Sequence, residues 1–163
     1  MRTTAACIKC DPRRDRMTLT IVNRQRARKI NVRRLKEITA ALLAELAGPA
    51  AVLEINLVGP VQMARVNTGF LQHEGPTDVI TFDYREKPGA DLHSELFICP
   101  AVAQTQAREF GTDWRSELVR YVIHGLLHLQ GYDDHAPADR RRMKLAEGRW
   151  LRTISRRFPL SKL

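Results

Sequence analysis

Cysteine is scarce in this chain: Cys7, Cys10 and Cys99 are the only thiols in 163 residues. With no export signal beside them, three thiols exclude a disulfide framework. Cys7 and Cys10 have the spacing of half a zinc ribbon, but no second pair follows. Long hydrophobic runs are also missing. None approaches the roughly 18 apolar residues that a membrane span needs, and the basic N-terminus lacks the apolar core of a secretory signal. Internal repeats, linkers and low-complexity stretches are absent too. The expectation is one cytoplasmic domain with no membrane partner. Residues 1–16 are expected to be a disordered leader, or to precede the true start at Met17, and residues 17–163 to form the domain.

What is present supports a folded core. Hydrophobic residues make up 44% and charged residues 28%, the balance of a globular protein rather than a disordered one. The net charge of +9 is unevenly spread. Residues 1–34 hold eleven Lys/Arg against two acids, and residues 136–163 hold nine against two. The middle, 35–135, holds seven against fourteen, so two basic ends flank an acidic centre. Basic ends suit a polyanion, because phosphate neutralisation releases counterions; two solvated faces would carry the same charges.

Periodicity predicts strands at 18–23, 51–58, 77–84 and 93–98. Helices are expected at 32–46 behind an Asn31 cap, from Gly59-Pro60 to about Leu71 with Val61, Ala64 and Phe70 inward, and at 101–110. Asp113 should cap a helix from Trp114 to about Gln130 that is apolar on most sides and therefore buried. Asp139 should cap a last basic helix with Met143, Leu145, Trp150, Leu151 and Ile154 inward. Trp114 and Trp150 read as core residues. The fold class is α+β: a single domain with a four-stranded mixed sheet packed around a central helix, and further helices about it.

The chemistry concentrates in His124-Gly-Leu-Leu-His128-Leu-Gln-Gly-Tyr-Asp-Asp134-His135, which holds three of the five histidines. His124 and His128, at i and i+4, share one helical face and can converge on one ion. Gly131 permits the left-handed turn that returns the chain, so His135 can approach as a third ligand. Three histidines leave a fourth tetrahedral position for water, the mark of a catalytic zinc site, whose bound water becomes a nucleophile near neutral pH. The helix resembles that of the zincin proteases, but Gly125 stands where their general-base Glu would be, so a peptidase is disfavoured.

Two blocks, His124-Gly125-x-Leu127-His128-Leu129-x-Gly131-Tyr132-Asp133 and Pro76-Thr77-Asp78-Val79-Ile80-Thr81-Phe82, resemble the YbeY-type bacterial endoribonucleases, over some 140 residues. That resemblance implies a single-strand-specific, metal-dependent endoribonuclease. Its implied role lies in 3′-end maturation of small-subunit ribosomal RNA and in ribosome quality control. It also implies one Zn²⁺ held by three histidines, and ribosomal RNA and the small ribosomal subunit as partners. The family's third histidine falls at Asp134 here. A one-residue loop shift makes His135 the expected ligand beside His124 and His128, with Asp134 the alternative or a supporting partner. A family arginine falls at Leu71, leaving Arg65 as a stand-in for RNA contact. Arg140, Arg141 and Arg142 are candidate phosphate contacts. A zinc peptidase and a non-catalytic ribosome-associated RNA-binding protein with a structural metal are the rival readings.

Overall fold

The structure, a computed structural model, describes residues 17–48, 50–71, 77–87 and 89–163, with the side chain of Leu71 outside that description. The expected leader with Cys7 and Cys10, His73 and the turn before Thr77 lie outside the described residues. In chain order the elements are β1 (Met17–Asn23), α1 (Val32–Leu46), β2 (Ala51–Leu57), α2 (Pro60–Leu71), β3 (Val79–Asp83) and β4 (Leu92–Ile98). There follow α3 (Pro100–Phe110), α4 (Trp114–Leu129), α5 (Pro137–Arg157) and a short 3₁₀ turn, Leu160–Lys162.

The sheet order is β1-β2-β4-β3, with β1, β2 and β4 parallel and β3 antiparallel to β4. Alternation sets its inner face. Leu53, Ile55 and Leu57 of β2 and Leu92, Leu96 and Ile98 of β4 point to one side and are buried. Against them pack α1, through Leu35, Ile38 and Leu42, and α4, through Leu118, Val122 and Leu126. Helix α4 is buried on nearly every side because α1, α3, α5 and the sheet all contact it. Each fully buried Leu or Ile there contributes roughly 1.5–3 kcal/mol by removal from water. The helix starts where Asp113 accepts the Arg115 amide at 3.3 Å, and α1 starts where Asn31 accepts the Arg34 amide at 3.0 Å. Each such cap contributes about 1 kcal/mol.

Four expectations need correction. Strand β3 begins at Val79, not at residue 77, because the Asp78 carboxylate takes the Val79 amide at 2.9 Å and turns the chain there. Helix α5 begins at Pro137 behind Ala136, not behind an Asp139 cap. Proline's fixed φ and missing N–H suit the first helical position, which leaves Asp139 in the first turn, 3.7 Å from Arg142. On α2, Val61 (69% exposed) and Phe70 (70%) face outward, while Met63 fills the space between Val58, Ile80 and Cys99. On α5, Leu145 is 75% exposed, and the inward positions are Met143, Ala146, Glu147 and Ile154. Trp114 and Trp150 are half-buried against the core as expected, Trp114 between the guanidinium groups of Arg28 and Arg115.

Candidate metal centre

Residues 124 and 128 lie one turn apart on α4, on the face left open beyond β3. Two contacts set the rotation and the end of this helix. Gly125 faces the sheet so closely that a Cβ there would lie 2.8 Å from Leu96 Cδ2 and 3.2 Å from Thr81 Oγ1. At the far end Arg85 donates to the Leu129 carbonyl at 2.7 Å while gripping the Asp83 carboxylate with three hydrogen bonds at 2.5, 2.9 and 3.0 Å. A cation there also complements the helix dipole. Gly131, at φ 85°, then reverses the chain and brings 132–135 back over the histidines.

Each imidazole is held by its inner nitrogen. His124 Nδ1 lies 2.8 Å from Glu147 Oε1, and His128 Nδ1 lies 2.9 Å from the Tyr132 carbonyl. A carbonyl and a carboxylate can only accept, so both Nδ1 atoms carry the proton and both Nε2 atoms present lone pairs. Those two Nε2 atoms are 2.9 Å apart. Two lone pairs face to face require a cation between them, a proton or a metal ion. Asp134 Oδ2 completes the cluster at 3.7 Å from His124 Nε2 and 3.9 Å from His128 Nε2. Ligand nitrogens about 2.0–2.1 Å from a tetrahedral metal stand about 3.3 Å apart. The donor set and its spacing therefore fit a divalent ion after adjustments of a few tenths of an ångström.

His135 sits elsewhere. Its Nδ1 pairs with the Asp133 carboxylate, which also takes the amides of Asp134 and His135, and its side chain is 88% exposed. The turn made by Asp133 directs residue 135 outward and residue 134 inward, so no loop shift occurs. His135 lines the same cleft as the pair but joins only Asp133 and Asp134 as a donor group.

Electrostatics favour a positive charge at the pair. Burial opposes the charged form of His124. The hydrogen bond and charge of Glu147, with Asp78 and Asp134 beyond it, outweigh that and hold its pKa above the usual imidazole value. Glu147 is buried and has Arg120 on its other oxygen, at 3.7 Å. The hydrogen bond between His135 and Asp133 holds the Asp133 pKa below the usual carboxylate value and raises that of His135.

Glu147 was not among the residues expected from sequence. The available signal was an acid on the apolar stripe of α5, at the i+4 position from Met143. Asp78 accepts the Val79 amide at the turn before β3 and lines a cleft with His124. Arg65 is exposed on α2 and lines neither cleft that contains His124, and Arg140, Arg141 and Arg142 are exposed on the first turns of α5. His93 is exposed and packs on the Tyr84 ring.

A mixed α+β domain with two histidines and a carboxylate converging at the open side of its central helix defines a class: small α+β proteins with a donor set able to hold a metal ion beside a cleft. Residues 9–155 match the family model described as Endoribonuclease YbeY, and the chain belongs to that family. An Endoribonuclease YbeY of Chlorobium luteolum is 45% identical over 106 residues, covering 64% of this chain and 76% of that one. That of Chlorobaculum tepidum is 36% identical over 135 residues, covering 83% and 96%. The fold is also that of a Thermotoga maritima protein solved in solution, with a TM-score of 0.61 and 24% identity over 85% of this chain and 89% of the other. No helix among the described residues is long and apolar enough to cross a membrane.

Proposed function

We propose that this chain is a zinc-dependent endoribonuclease that cuts single-stranded RNA in the cytoplasm and acts in 3′-end maturation of small-subunit ribosomal RNA and in ribosome quality control. Membership of the endoribonuclease family and the paired Nε2 lone pairs, 2.9 Å apart, support this reading together. The pair is the observation that carries it, since its two imidazoles meet at the wall of an open cleft, where a substrate could reach an ion, rather than in a closed site. One ion per chain would be held by His124, His128 and Asp134, with Asp134 in place of His135 because its Oδ2 is the third donor within reach. When bound, such an ion acidifies water and offsets charge building on a phosphoryl oxygen.

The protein's own contribution is positional. Glu147 and the Tyr132 carbonyl fix the imidazole tautomers, and Gly125 seats the helix so that both rings reach the same point. Ribosomal RNA and the small subunit are the partners in this reading, with the exposed Arg140, Arg141, Arg142 and Arg65 offering phosphate contacts. A zincin peptidase is disfavoured on geometry as well as on sequence. Position 125 points into Leu96 and Thr81, so a Glu general base could not sit there facing the metal. A non-catalytic RNA-binding protein with a structural metal predicts binding that survives emptying the site. The test is cleavage of a single-stranded ribosomal RNA fragment by wild type and His124→Ala, with metal content measured in both. The expected result is loss of metal and of cleavage together; equal cleavage by both proteins would overturn the nuclease reading.

A further inference from the structure

Beside His124, a second cleft of about 490 Å³ opens between α3, α4 and α5, with Asp78 also in its lining. The ion-holding role assigned above does not use it. Resting on the endoribonuclease reading, we propose that this cleft is a subsite for the base next to the scissile phosphate, with the ring of Phe110 as its stacking face.

The cleft is contiguous with the chemistry, because His124 belongs to its wall as well as to the ion-directed pair. A nucleotide whose phosphate lies at the pair therefore has its neighbouring base within reach of this wall. The charge of the lining then selects which part of the nucleotide enters. Asp78, Glu117 and Glu147 outnumber Arg120 and Lys144. Arg120 is moreover committed, 3.2 Å from Glu117 and 3.7 Å from Glu147. Away from His124 and the ion it would hold, a phosphate would therefore meet more negative charge than positive, whereas an uncharged base meets no such penalty.

Phe110 supplies what a base needs. It is the last residue of α3, and the left-handed Gly111 (φ 65°) redirects the chain immediately behind it. The ring is therefore left at the cleft rim, 67% exposed, rather than drawn into the α3–α4 packing. The floor is firm: the Tyr121 hydroxyl, on a buried side chain, donates to Gln106 Oε1 at 2.8 Å and ties α4 to α3 beneath the rim. A fixed floor and one free aromatic face are the parts of a sequence-tolerant stacking site, since every base has a π-face.

The experiment is a double-perturbation cycle with the full chain loaded with zinc. Wild type, Phe110→Ala and Phe110→Trp are given single-stranded RNA oligonucleotides carrying one abasic nucleotide at each position around the cleavage point. Phe110→Ala should raise KM roughly tenfold at unchanged metal content, the size of one lost base stack, and Phe110→Trp should restore it. On the oligonucleotide whose abasic nucleotide adjoins the cut, Phe110→Ala should cost nothing further. An equal loss on intact and abasic oligonucleotides, or no loss on either, would overturn the subsite. If wild type cleaves no RNA, the nuclease reading fails by itself. The subsite is then decided by equilibrium binding of the same oligonucleotides, where non-additivity supports it and additivity overturns it.

Discussion

Glu147 Oε1 lies 2.8 Å from His124 Nδ1, so a carboxylate on one helix sets the tautomer of an imidazole on another. A partner of this kind orients the ring and raises its basicity, and its loss costs about 10–100-fold in metal affinity. Glu147→Ala should weaken zinc binding by that factor in a chelator competition. Glu147→Gln, which keeps an acceptor oxygen but no charge, should fall between. Unaltered affinity in both would show that the contact does not act on the metal site.

The neighbouring residues Asp134 and His135 offer a clean comparison. Asp134→Ala should lower metal affinity by more than the about 10–100-fold expected for an outer partner, and Asp134→His should restore it. His135→Ala should leave affinity near that of wild type, because the side chain is turned to solvent by Asp133. The reverse ranking, read by metal analysis after dialysis, would return the third position to His135.

The pH dependence of metal binding follows from His124. Burial alone would lower its pKa, but Glu147, Asp78 and Asp134 together raise it. In the metal-free protein, protonated His124 therefore contributes stability that is complete below the usual imidazole pKa of about 6.5. That contribution is lost as pH rises through the raised folded value. Metal competes with the same proton at Nε2, so its affinity should fall on acidification, beginning above pH 6.5. Glu147→Gln should move the onset to lower pH. Calorimetric titrations in buffers of different ionisation enthalpy would detect the released proton.

Gly125 tests how tightly the helix is seated. A methyl group there meets the buried Leu96 at 2.8 Å, and overpacking of this kind costs typically 1–3 kcal/mol. Alanine regains up to about 1 kcal/mol of helix propensity. The expected net result for Gly125→Ala is a destabilisation of about 1–2 kcal/mol in urea unfolding, with weaker metal binding as the histidines shift. Equal or greater stability would mean that Leu96 moves aside freely.

Arg140, Arg141 and Arg142 can be tested by salt. Each phosphate contact removed should reduce the slope of log K against log salt by about 0.7 for single-stranded RNA. Replacing all three by alanine should therefore lower the slope by up to about 2. An unchanged slope would leave these arginines as a solvated face of α5.

Much of the fold was legible because α4 carries an unbroken apolar pattern between an Asp113 cap and Gly131. The strands of the sheet alternate or run apolar between clear breakers. The histidine pair was legible for the same reason, since i and i+4 on a helix leave little freedom. What escaped depended on tertiary packing. Periodicity admits neighbouring phases of a helix, and contacts with Val58, Ile80 and Cys99 chose Met63 over Val61 and Phe70. Glu147 reaches His124 from a separate helix, and no local pattern links two helices. The choice between Asp134 and His135 depended on a turn made by the Asp133 side chain, which spacing alone does not reveal.

The helix that presents the two imidazoles is the one the whole core encloses, and this makes the ion a reporter on folding. A ligand that binds only the native state stabilises it by about 2.7 kcal/mol at a hundred times its dissociation constant. Zinc should therefore raise the unfolding midpoint of the entire domain, not merely quiet a loop. Conversely, a cavity-forming change at Leu126 or Ile123, which supply no donor atom themselves, should release the ion by melting its scaffold. Loss of bound metal during mild heating would then mark cooperative unfolding of this chain.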